Sequence, residues 1–189
     1  TADVFISALP FDLLRTVLPP PLAGDPFFAR AQGLSTSPIV NLHIWYDRPV
    51  LQDDFVAVLD SPLQWVFNKS RIFGEQQGNG QYLSLSLSGA WEYIDQPKDQ
   101  LRELFLAEMA RIFPQARSAT VERFLVVKQE RATFRCTPGA AGHRLPAATP
   151  VPNLVLAGEW TDTGWPSTME GAVRSGNTAA QEVLRGTWR

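Results

Sequence analysis

The residues best placed to do chemistry lie near the C-terminus, between Asn153 and Gly176. Leu154 to Ala157 form an apolar run closed by Gly158, a pattern typical of a strand buried on both faces. Ser167 and Glu170 have the spacing of a capping box, which predicts the start of a helix. A strand end that meets a helix N-terminus favours a ligand with negative charge, because the first-turn amides have no helical partner.

The predicted helix has one apolar face. Its small and apolar residues recur with the i, i+3, i+4, i+7 spacing of a helix packed on one side, and they are Met169, Ala172, Val173, Gly176, Ala179, Ala180, Val183 and Leu184. We therefore expect this whole set to be buried.

Composition narrows the class of protein. The chain has 189 residues, is 44% hydrophobic and has a formal charge of −2, which is typical of a globular protein and argues against nucleic acid as a partner. Cys136 is the single cysteine, so no intrachain disulfide can form and a cytoplasmic location is favoured. No apolar window is long enough for a spanning helix. The chain opens on a buried-strand pattern without an initiating Met, and we expect it to be an internal section of a longer protein.

The remaining pattern predicts an α+β fold with a mixed, largely antiparallel sheet and flanking helices. Candidate strands are Val4–Ala8, Ile39–Tyr46, Phe55–Leu59, Leu63–Asn68, Tyr82–Ser88 and Thr120–Lys128. A helix after Pro97 has a buried stripe of Leu101, Leu104, Phe105, Met109 and Ile112. Gly74–Gln81 and the Pro-rich segment Arg131–Pro152 are predicted to be loops. The strand, loop and helix of 153–176 end the chain.

The stretch Leu156–Gly176 resembles the C-terminal flavin-binding signature of the amine oxidase and phytoene desaturase superfamily. Three further segments, Pro38–Pro49, Leu63–Lys69 and Glu130–Phe134, resemble its squalene-associated branch, the hydroxysqualene dehydroxylases. The resemblance covers essentially all 189 residues.

This resemblance implies an FAD-dependent oxidoreductase that removes the hydroxyl of hydroxysqualene reductively to give squalene, in hopanoid biosynthesis, or runs a related desaturation. It implies three segments: residues 1–10 are a strand of the FAD-binding domain, 11–130 are the substrate-binding domain, and 131–189 return to the FAD-binding domain. The Gly-x-Gly-x-x-Gly turn of the family does not occur between a strand and a helix in this sequence. We therefore expect the chain by itself to bind no FAD and to be inactive.

Six residues are implied to bind the flavin, namely Gly158, Glu159, Pro166, Thr168, Met169 and Gly171. Gly158 lets the backbone approach the cofactor, and Glu159 accepts a hydrogen bond from a flavin-chain hydroxyl. The Thr168 and Met169 amides are expected against the flavin pyrimidine ring, where a helix N-terminus favours the anionic reduced form. A plain turn glycine and a solvated carboxylate are the alternatives for Gly158 and Glu159.

Trp45, Trp65 and Trp165 are the candidate substrate-binding residues, because aromatic faces suit an apolar isoprenoid and a developing allylic cation. Core packing is the alternative for each of them. His43 and His143 are the imidazoles available as an acid, and a structural role is the more common one for a lone strand histidine. No metal-ligand cluster occurs, and the catalytic residue remains unassigned.

Two other functions stay open. A flavin amine oxidase would place an aromatic cage and an amine-sized pocket at the flavin. A non-catalytic binding or interaction domain would cover an exposed apolar patch by self-association. The expected partner is an apolar isoprenoid, with peripheral contact to the inner face of the membrane as a further expectation.

Overall fold

A computed structural model of the chain describes residues 2–74 and 80–186. The strands are β1 Phe5–Ser7, β2 Thr36–Tyr46, β3 Phe55–Ala57, β4 Trp65–Asn68, β5 Gln81–Ser88, β6 Val121–Phe134 and β7 Leu154–Leu156. The α-helices are α1 Phe11–Val17, α2 Pro20–Ala23, α3 Pro26–Ala29, α4 Lys69–Ile72, α5 Lys98–Ile112 and α6 Met169–Arg185. Short 3-10 turns lie at Arg30–Gly33, Pro114–Arg117 and Ala140–His143.

The chain forms two compact units. Unit 1 combines residues 1–36 with 133–189, and unit 2 is the continuous segment 37–132. The boundaries fall at the start of β2 and near the end of β6. The predicted segments 1–10, 11–130 and 131–189 assign functions to parts of the chain, and those assignments stay predictions.

Unit 2 is organised around a sheet with strand order β3-β4-β5-β2-β6. The β2–β5, β4–β5 and β3–β4 pairs are antiparallel. Leu83, Leu85 and Leu87 of β5 are fully buried, as their alternation predicts, and they share one core with alternate residues of β2. The predicted antiparallel sheet with flanking helices is confirmed.

Helix α5 covers the apolar side of this sheet. Leu101, Phe105 and Met109 recur every four residues and are fully buried in the same core as the β2 and β5 leucines. Leu104 and Ile112 pack against its margin. The predicted stripe is therefore confirmed. Helix α5 covers one face of the sheet and leaves the opposite face uncovered by this helix.

Unit 1 contains a two-stranded parallel sheet made from distant parts of the chain. Phe5, Ile6 and Ser7 pair with Leu154, Val155 and Leu156. The prediction that Val4–Ala8 forms a buried strand is wrong in its burial, since Phe5 and Ile6 are each 52% exposed. Within the described ranges β1 has β7 as its one pairing partner, which leaves its other edge and part of both faces open.

Helix α6 packs on a different face from the predicted one. Its buried residues are Gly171, Ser175 and Ala179, whereas Met169 is 89% and Val173 60% exposed. Of the predicted set, Ala179 is buried and Val183 partly buried; the remaining members, Met169, Ala172, Val173, Gly176, Ala180 and Leu184, are exposed. The small side chains of Gly171, Ser175 and Ala179 allow the helix to lie close to the strand. The helix therefore packs through its face of small residues rather than through its most apolar face.

Three boundaries differ from the sequence predictions. Strand β6 continues to Phe134, so the predicted loop Arg131–Pro152 starts too early. The helix cap is Thr168 rather than Ser167, because the Thr168 hydroxyl accepts the hydrogen bond from the Gly171 amide. In the predicted loop Gly74–Gln81, residues 75–79 lie outside the described ranges and Gln81 already begins β5.

Candidate functional site

The junction between β7 and α6 begins with a backbone turn at Gly158. Its φ of 138° lies in the region that favours glycine, and a Cβ built there would lie 2.6 Å from Nε1 of Trp160. Trp160 cannot yield, since it is fully buried and its Nε1 donates a hydrogen bond to the carbonyl of Leu9 at 2.9 Å. Gly158 is thus required by the fold itself, and the strand end presents bare backbone.

Helix α6 is held tightly against this turn. The Ser175 hydroxyl accepts a hydrogen bond from the Gly158 amide at 2.7 Å and donates one to the carbonyl of Ala172 at 2.6 Å. At Gly171 a Cβ would lie 2.6 Å from the Pro166 carbonyl oxygen. Two of the predicted flavin residues, Gly171 and Pro166, therefore meet directly where the loop crosses the first turn of the helix.

The first turn of α6 leaves hydrogen-bond donors open. Thr168 caps the helix by accepting from the Gly171 amide at 3.1 Å, while its hydroxyl donates to the Pro166 carbonyl at 3.2 Å. The amides of Met169 and Glu170 precede the first internal helical hydrogen bond and so have no helical acceptor. Together with the dipole of a helix of 17 residues, they favour an anion or a ring carbonyl.

Two side chains at the junction have unused hydrogen-bonding capacity. The Glu159 carboxylate is partly exposed and forms no hydrogen bond or ion pair with any residue of the described ranges. The Ser167 Oγ atom is buried and likewise lacks a partner there. A buried hydroxyl without a partner is uncommon in folded proteins. A bare strand end, an acceptor carboxylate, an orphan hydroxyl and open amides fit a ligand with both hydroxyls and ring carbonyls, as a flavin has.

Arg144 organises the loop and was not predicted from the sequence. Its side chain is only 9% exposed and donates to the carbonyls of Glu159 and Trp165, each at 2.8 Å. Nη2 also donates to Oγ1 of Thr163 at 3.1 Å. A single arginine in a Pro- and Gly-rich segment belongs to no periodic pattern, so no signal in one sequence singles it out.

In unit 2 the sheet face opposite α5 is aromatic. Trp45 and Tyr82 pair across β2 and β5, and their rings stack with centroids 4.5 Å apart and planes 3° from parallel. The guanidinium of Arg123 lies over the Trp45 ring, with its central carbon 4.8 Å from the ring centroid. His43 lies two residues before Trp45 on the same face, and its Nδ1 is 2.7 Å from the Tyr82 hydroxyl.

The aromatic face continues onto β4, the strand next to the sheet edge. Trp65 pairs with Ser86, which places it on the same face as Trp45. Trp65 is 42% exposed, and its ring stacks on that of Phe67 at 6.1 Å. Two predicted substrate residues, Trp45 and Trp65, are therefore brought onto one surface.

Trp165, the third predicted substrate residue, lies in the loop of unit 1. Its side chain is 39% exposed, and the Arg174 guanidinium lies 4.0 Å from its ring centroid. The ligands that these residues and the six flavin candidates bind remain predictions.

Two titratable side chains on the aromatic face, those of His43 and Tyr82, favour their neutral forms. Burial, with a smaller contribution from the charge of Lys69, lowers the pKa of His43, and burial raises the pKa of Tyr82. A cavity of about 120 Å³ is lined by Trp45, Tyr82, Ser70 and Glu122 among others. Since ligand pockets typically measure roughly 300–1,000 Å³, the aromatic face is better described as an open surface.

Two kinds of feature are absent from residues 2–74 and 80–186. No group of histidine, cysteine or carboxylate side chains there could hold a metal ion. None of the helices in that part of the chain is long and apolar enough to cross a membrane.

Comparison with known proteins identifies the family. Residues 1–184 match the family model described as flavin containing amine oxidoreductase. The chain is 31% identical to a 15-cis-phytoene desaturase of Synechococcus elongatus over 191 positions, covering 97% of this chain and 40% of the relative. It is 36% identical to a hydroxysqualene dehydroxylase of Rhodopseudomonas palustris over 146 positions, covering 77% of this chain and 32% of the relative. The chain thus spans about two fifths or less of these relatives.

The fold matches solved oxidase and oxidoreductase structures. A putrescine oxidase structure superposes with a TM-score of 0.67 at 16% identity, covering 96% of this chain and 43% of the other. An oxidoreductase of Methanosarcina mazei gives a TM-score of 0.68 at 17% identity. Together with the family model, which spans nearly the whole sequence, these matches confirm the predicted resemblance: the chain belongs to the flavin-containing amine oxidoreductase family.

Proposed function

We propose that the protein of which this chain forms part or all is an FAD-dependent oxidoreductase that acts on a squalene-type isoprenoid. The observation that carries the proposal is the β7–α6 junction, where a glycine strand end, the Glu159 carboxylate and the open amides of α6 meet. The similarity to a hydroxysqualene dehydroxylase supports reductive removal of an allylic hydroxyl. The squalene formed would feed hopanoid biosynthesis.

The flavin is assigned to the residues of this junction. Gly158 and Gly171 allow close approach of backbone, Glu159 accepts from a hydroxyl of the flavin chain, and Thr168 and Met169 present the first turn of α6. When bound, reduced FAD supplies a hydride to an electron-poor carbon, or oxidised FAD accepts one. The positive end of the α6 dipole stabilises negative charge next to it.

The substrate is assigned to the aromatic face of unit 2. Loss of the hydroxyl breaks a C–O bond, the oxygen takes a proton and leaves as water, and the carbon keeps an allylic positive charge until a hydride arrives. Aromatic faces such as those of Trp45 and Trp65 stabilise a cation by roughly 1–2 kcal/mol in a dry site. His43 and Tyr82, in their neutral forms, add no charge to this surface, and its cationic groups include the Arg123 guanidinium over Trp45.

Desaturation is the second candidate function. The phytoene desaturase relative aligns with 97% of this chain, more than the dehydroxylase relative does. The two reactions run hydride transfer in opposite directions on similar apolar substrates, so the same junction and aromatic face would serve either. The putrescine oxidase shares the fold at 16% identity, which supports no amine substrate.

The test compares substrates with the complete gene product. We expect the purified protein to be yellow, with FAD near one equivalent, and to convert hydroxysqualene to squalene when its flavin is reduced. Phytoene with oxidised flavin and a panel of amines are run in parallel. Turnover of phytoene alone would establish the desaturase function, and turnover of amines alone would refute the isoprenoid proposal.

A second measurement concerns the 189-residue chain by itself. We expect it to retain no FAD after gel filtration, because it has no Gly-x-Gly-x-x-Gly turn between a strand and a helix. Exposed Met169, Val173 and Leu184 support self-association of this chain, which light scattering would detect. A stoichiometric flavin spectrum from the isolated chain would contradict the first expectation.

The proposal includes a cytoplasmic location at the inner face of the membrane, where an apolar isoprenoid is accessible. Its support is the single cysteine and the apolar substrate class. Cell fractionation decides it: recovery with membranes that is reversed by salt or mild detergent is expected, and recovery from an oxidising compartment would contradict it.

A further inference from the structure

We propose that Arg144 is a positioning residue, whose guanidinium fixes the loop from Glu159 to Trp165 and thereby preorganises Glu159 and the first turn of α6 for FAD. The inference rests on the proposed cofactor and adds a residue that belongs to no flavin signature in the sequence. All the contacts that carry it lie within unit 1.

The guanidinium holds both ends of the loop at once. Nη2 donates to the Glu159 carbonyl and Nη1 to the Trp165 carbonyl, each at 2.8 Å, although these residues are six positions apart. Between them, Nη2 reaches the Thr163 hydroxyl at 3.1 Å and Nε lies 3.4 Å from the Trp160 carbonyl. One rigid planar group therefore sets the distance between the strand end and the start of α6.

The acceptors of Arg144 are loop oxygens rather than a carboxylate. None of the ion pairs found in the described ranges includes Arg144. A buried guanidinium without a counter-ion is costly unless its N–H groups are satisfied by hydrogen bonds. The Phe134 ring, 5.1 Å from the guanidinium carbon, covers one of its faces. The loop is thus shaped to accept this group, and an arginine that served only as a surface charge would not be buried among carbonyls.

The main chain of Arg144 is itself anchored. Its carbonyl accepts a hydrogen bond from Nη2 of Arg30 at 3.0 Å. The next residue, Leu145, is fully buried and its carbonyl accepts from the amide of Asp162 at 2.8 Å. The side chain of Arg144 and the main chain of Leu145 therefore both bind the loop, which fixes its shape before any ligand arrives.

A preorganised loop lowers the cost of binding because it need not be ordered on contact. Without the guanidinium, the carbonyls of Glu159 and Trp165 would turn to solvent and the Glu159 carboxylate would sample other positions. The consequence would be weaker FAD binding with an otherwise intact fold. Lysine cannot replace arginine here, since a single ammonium does not span two carbonyls as a planar fork does.

The experiment uses the complete gene product in four forms: wild type, Arg144→Ala, Arg144→Lys and the control Arg15→Ala. Arg15 donates to the Ala23 carbonyl at 3.1 Å but is exposed, so it controls for loss of an arginine–carbonyl contact in the same unit. Hydrogen exchange of the apoprotein reports on the amides of residues 159–165, and titration with FAD gives the dissociation constant. The Arg144→Ala protein is also titrated with guanidinium chloride present below denaturing concentrations.

In Arg144→Ala we expect faster exchange across residues 159–165 by about tenfold or more, with unchanged exchange in β5. The dissociation constant for FAD should rise about tenfold or more, by analogy with the loss of metal affinity when residues that orient metal ligands are removed. Guanidinium ion should restore part of the affinity, Arg144→Lys should remain weak, and Arg15→Ala should match wild type.

Unchanged loop exchange in Arg144→Ala, or wild-type affinity in Arg144→Lys, would overturn the inference and leave the proposed function standing. A wild-type protein that binds no FAD would overturn the proposed function instead. If the far-ultraviolet circular dichroism of Arg144→Ala shows that this variant is unfolded, Arg144→Lys provides the test, because it keeps the charge and most of the volume of the side chain. Weak binding with ordinary folding in that variant supports the inference.

Discussion

The hydroxyl of Ser175 and the amide of Gly158 form a hydrogen bond of 2.7 Å that joins the middle of α6 to the end of β7. The Gly158 amide lies just past the last strand residue, so a side chain from the helix takes the place of a further strand partner. Ser175 is 1% exposed, which keeps this bond away from water. The relative position of strand end and helix N-terminus depends on it.

Replacement of Ser175 by Ala should destabilise the chain by about 1 kcal/mol. The variant loses the acceptor for the Gly158 amide, and the higher helix propensity of Ala offsets part of that loss. Urea unfolding of the 189-residue chain measures the change. Thr178→Ala is the matched control, because the Thr178 hydroxyl bonds the Arg174 carbonyl on the exposed side of the same helix. An equal effect in both variants would contradict a special role for Ser175.

Two glycines of α6 should respond in opposite directions to alanine. At Gly171 the new Cβ would lie 2.6 Å from the Pro166 carbonyl oxygen, and the resulting shift of loop or helix should cost about 1–3 kcal/mol. At Gly176 nothing lies within 4 Å of the new Cβ, and alanine should stabilise the helix by about 0.5–1 kcal/mol. Denaturant unfolding of both variants of the 189-residue chain gives the two signs. Stabilisation by Gly171→Ala would show that the loop does not press on the helix as described.

Alkaline pH should weaken unit 2 through Tyr46. Burial raises the pKa of Tyr46 to about 12, and its side chain is 2% exposed. The unfolded chain ionises this group near pH 10, whereas the folded chain keeps it neutral to higher pH. Stability is therefore fully present below about pH 10 and is lost between about pH 10 and 12, at up to about 1.4 kcal/mol per pH unit.

The difference between wild type and Tyr46→Phe isolates this effect from other groups that titrate at alkaline pH. Urea unfolding at pH 8 and at two values between pH 10 and 12 should show wild type losing stability relative to the variant. Parallel curves for the two proteins across that range would contradict the assignment.

His43 should titrate below the ordinary value for histidine, about 6.5. Burial is the larger cause and the charge of Lys69 the smaller, so Lys69→Met should raise the pKa of His43 only part of the way back. Proton NMR titration of the ring signals measures both values. The chain has two histidines, and His143→Gln leaves one signal and so completes the assignment. A pKa of His43 above 6.5 in wild type would show that the ring is hydrated or paired with an anion.

Much of unit 2 could be predicted because its residues repeat with a period. Leu83, Leu85 and Leu87 alternate along one strand, and Leu101 and Phe105 lie one helical turn apart, so each pattern marks the side that faces the core. The same alternation puts Trp45 and Ile44, which are neighbours along β2, on opposite faces of the sheet. The period of the apolar residues identifies a segment as a strand or a helix, and their positions identify the side that faces the core.

The face of α6 could not be predicted in the same way. Met169 and Val173 form an apolar stripe, but Gly171 and Ser175 are the residues that allow the helix to approach β7. A hydrophobic pattern identifies the face of a helix with the most favourable transfer free energy. The face of α6 that packs on β7 is determined instead by small side chains and by the hydrogen bond between Ser175 and Gly158. Arg144 was missed for a related reason, since a buried charge is recognised by its acceptors, and these are backbone carbonyls that any sequence contains.

The pairing of Phe5 with Leu154 has a consequence for biosynthesis. Unit 2 is continuous in sequence, so all of its strands are translated before β7. Unit 1 cannot close until residues near position 160 emerge, because Leu9 must receive its hydrogen bond from Trp160. Domains generally fold as their sequence is completed, so the aromatic face should form first, and strand β1 should lack its partner β7 until that strand emerges.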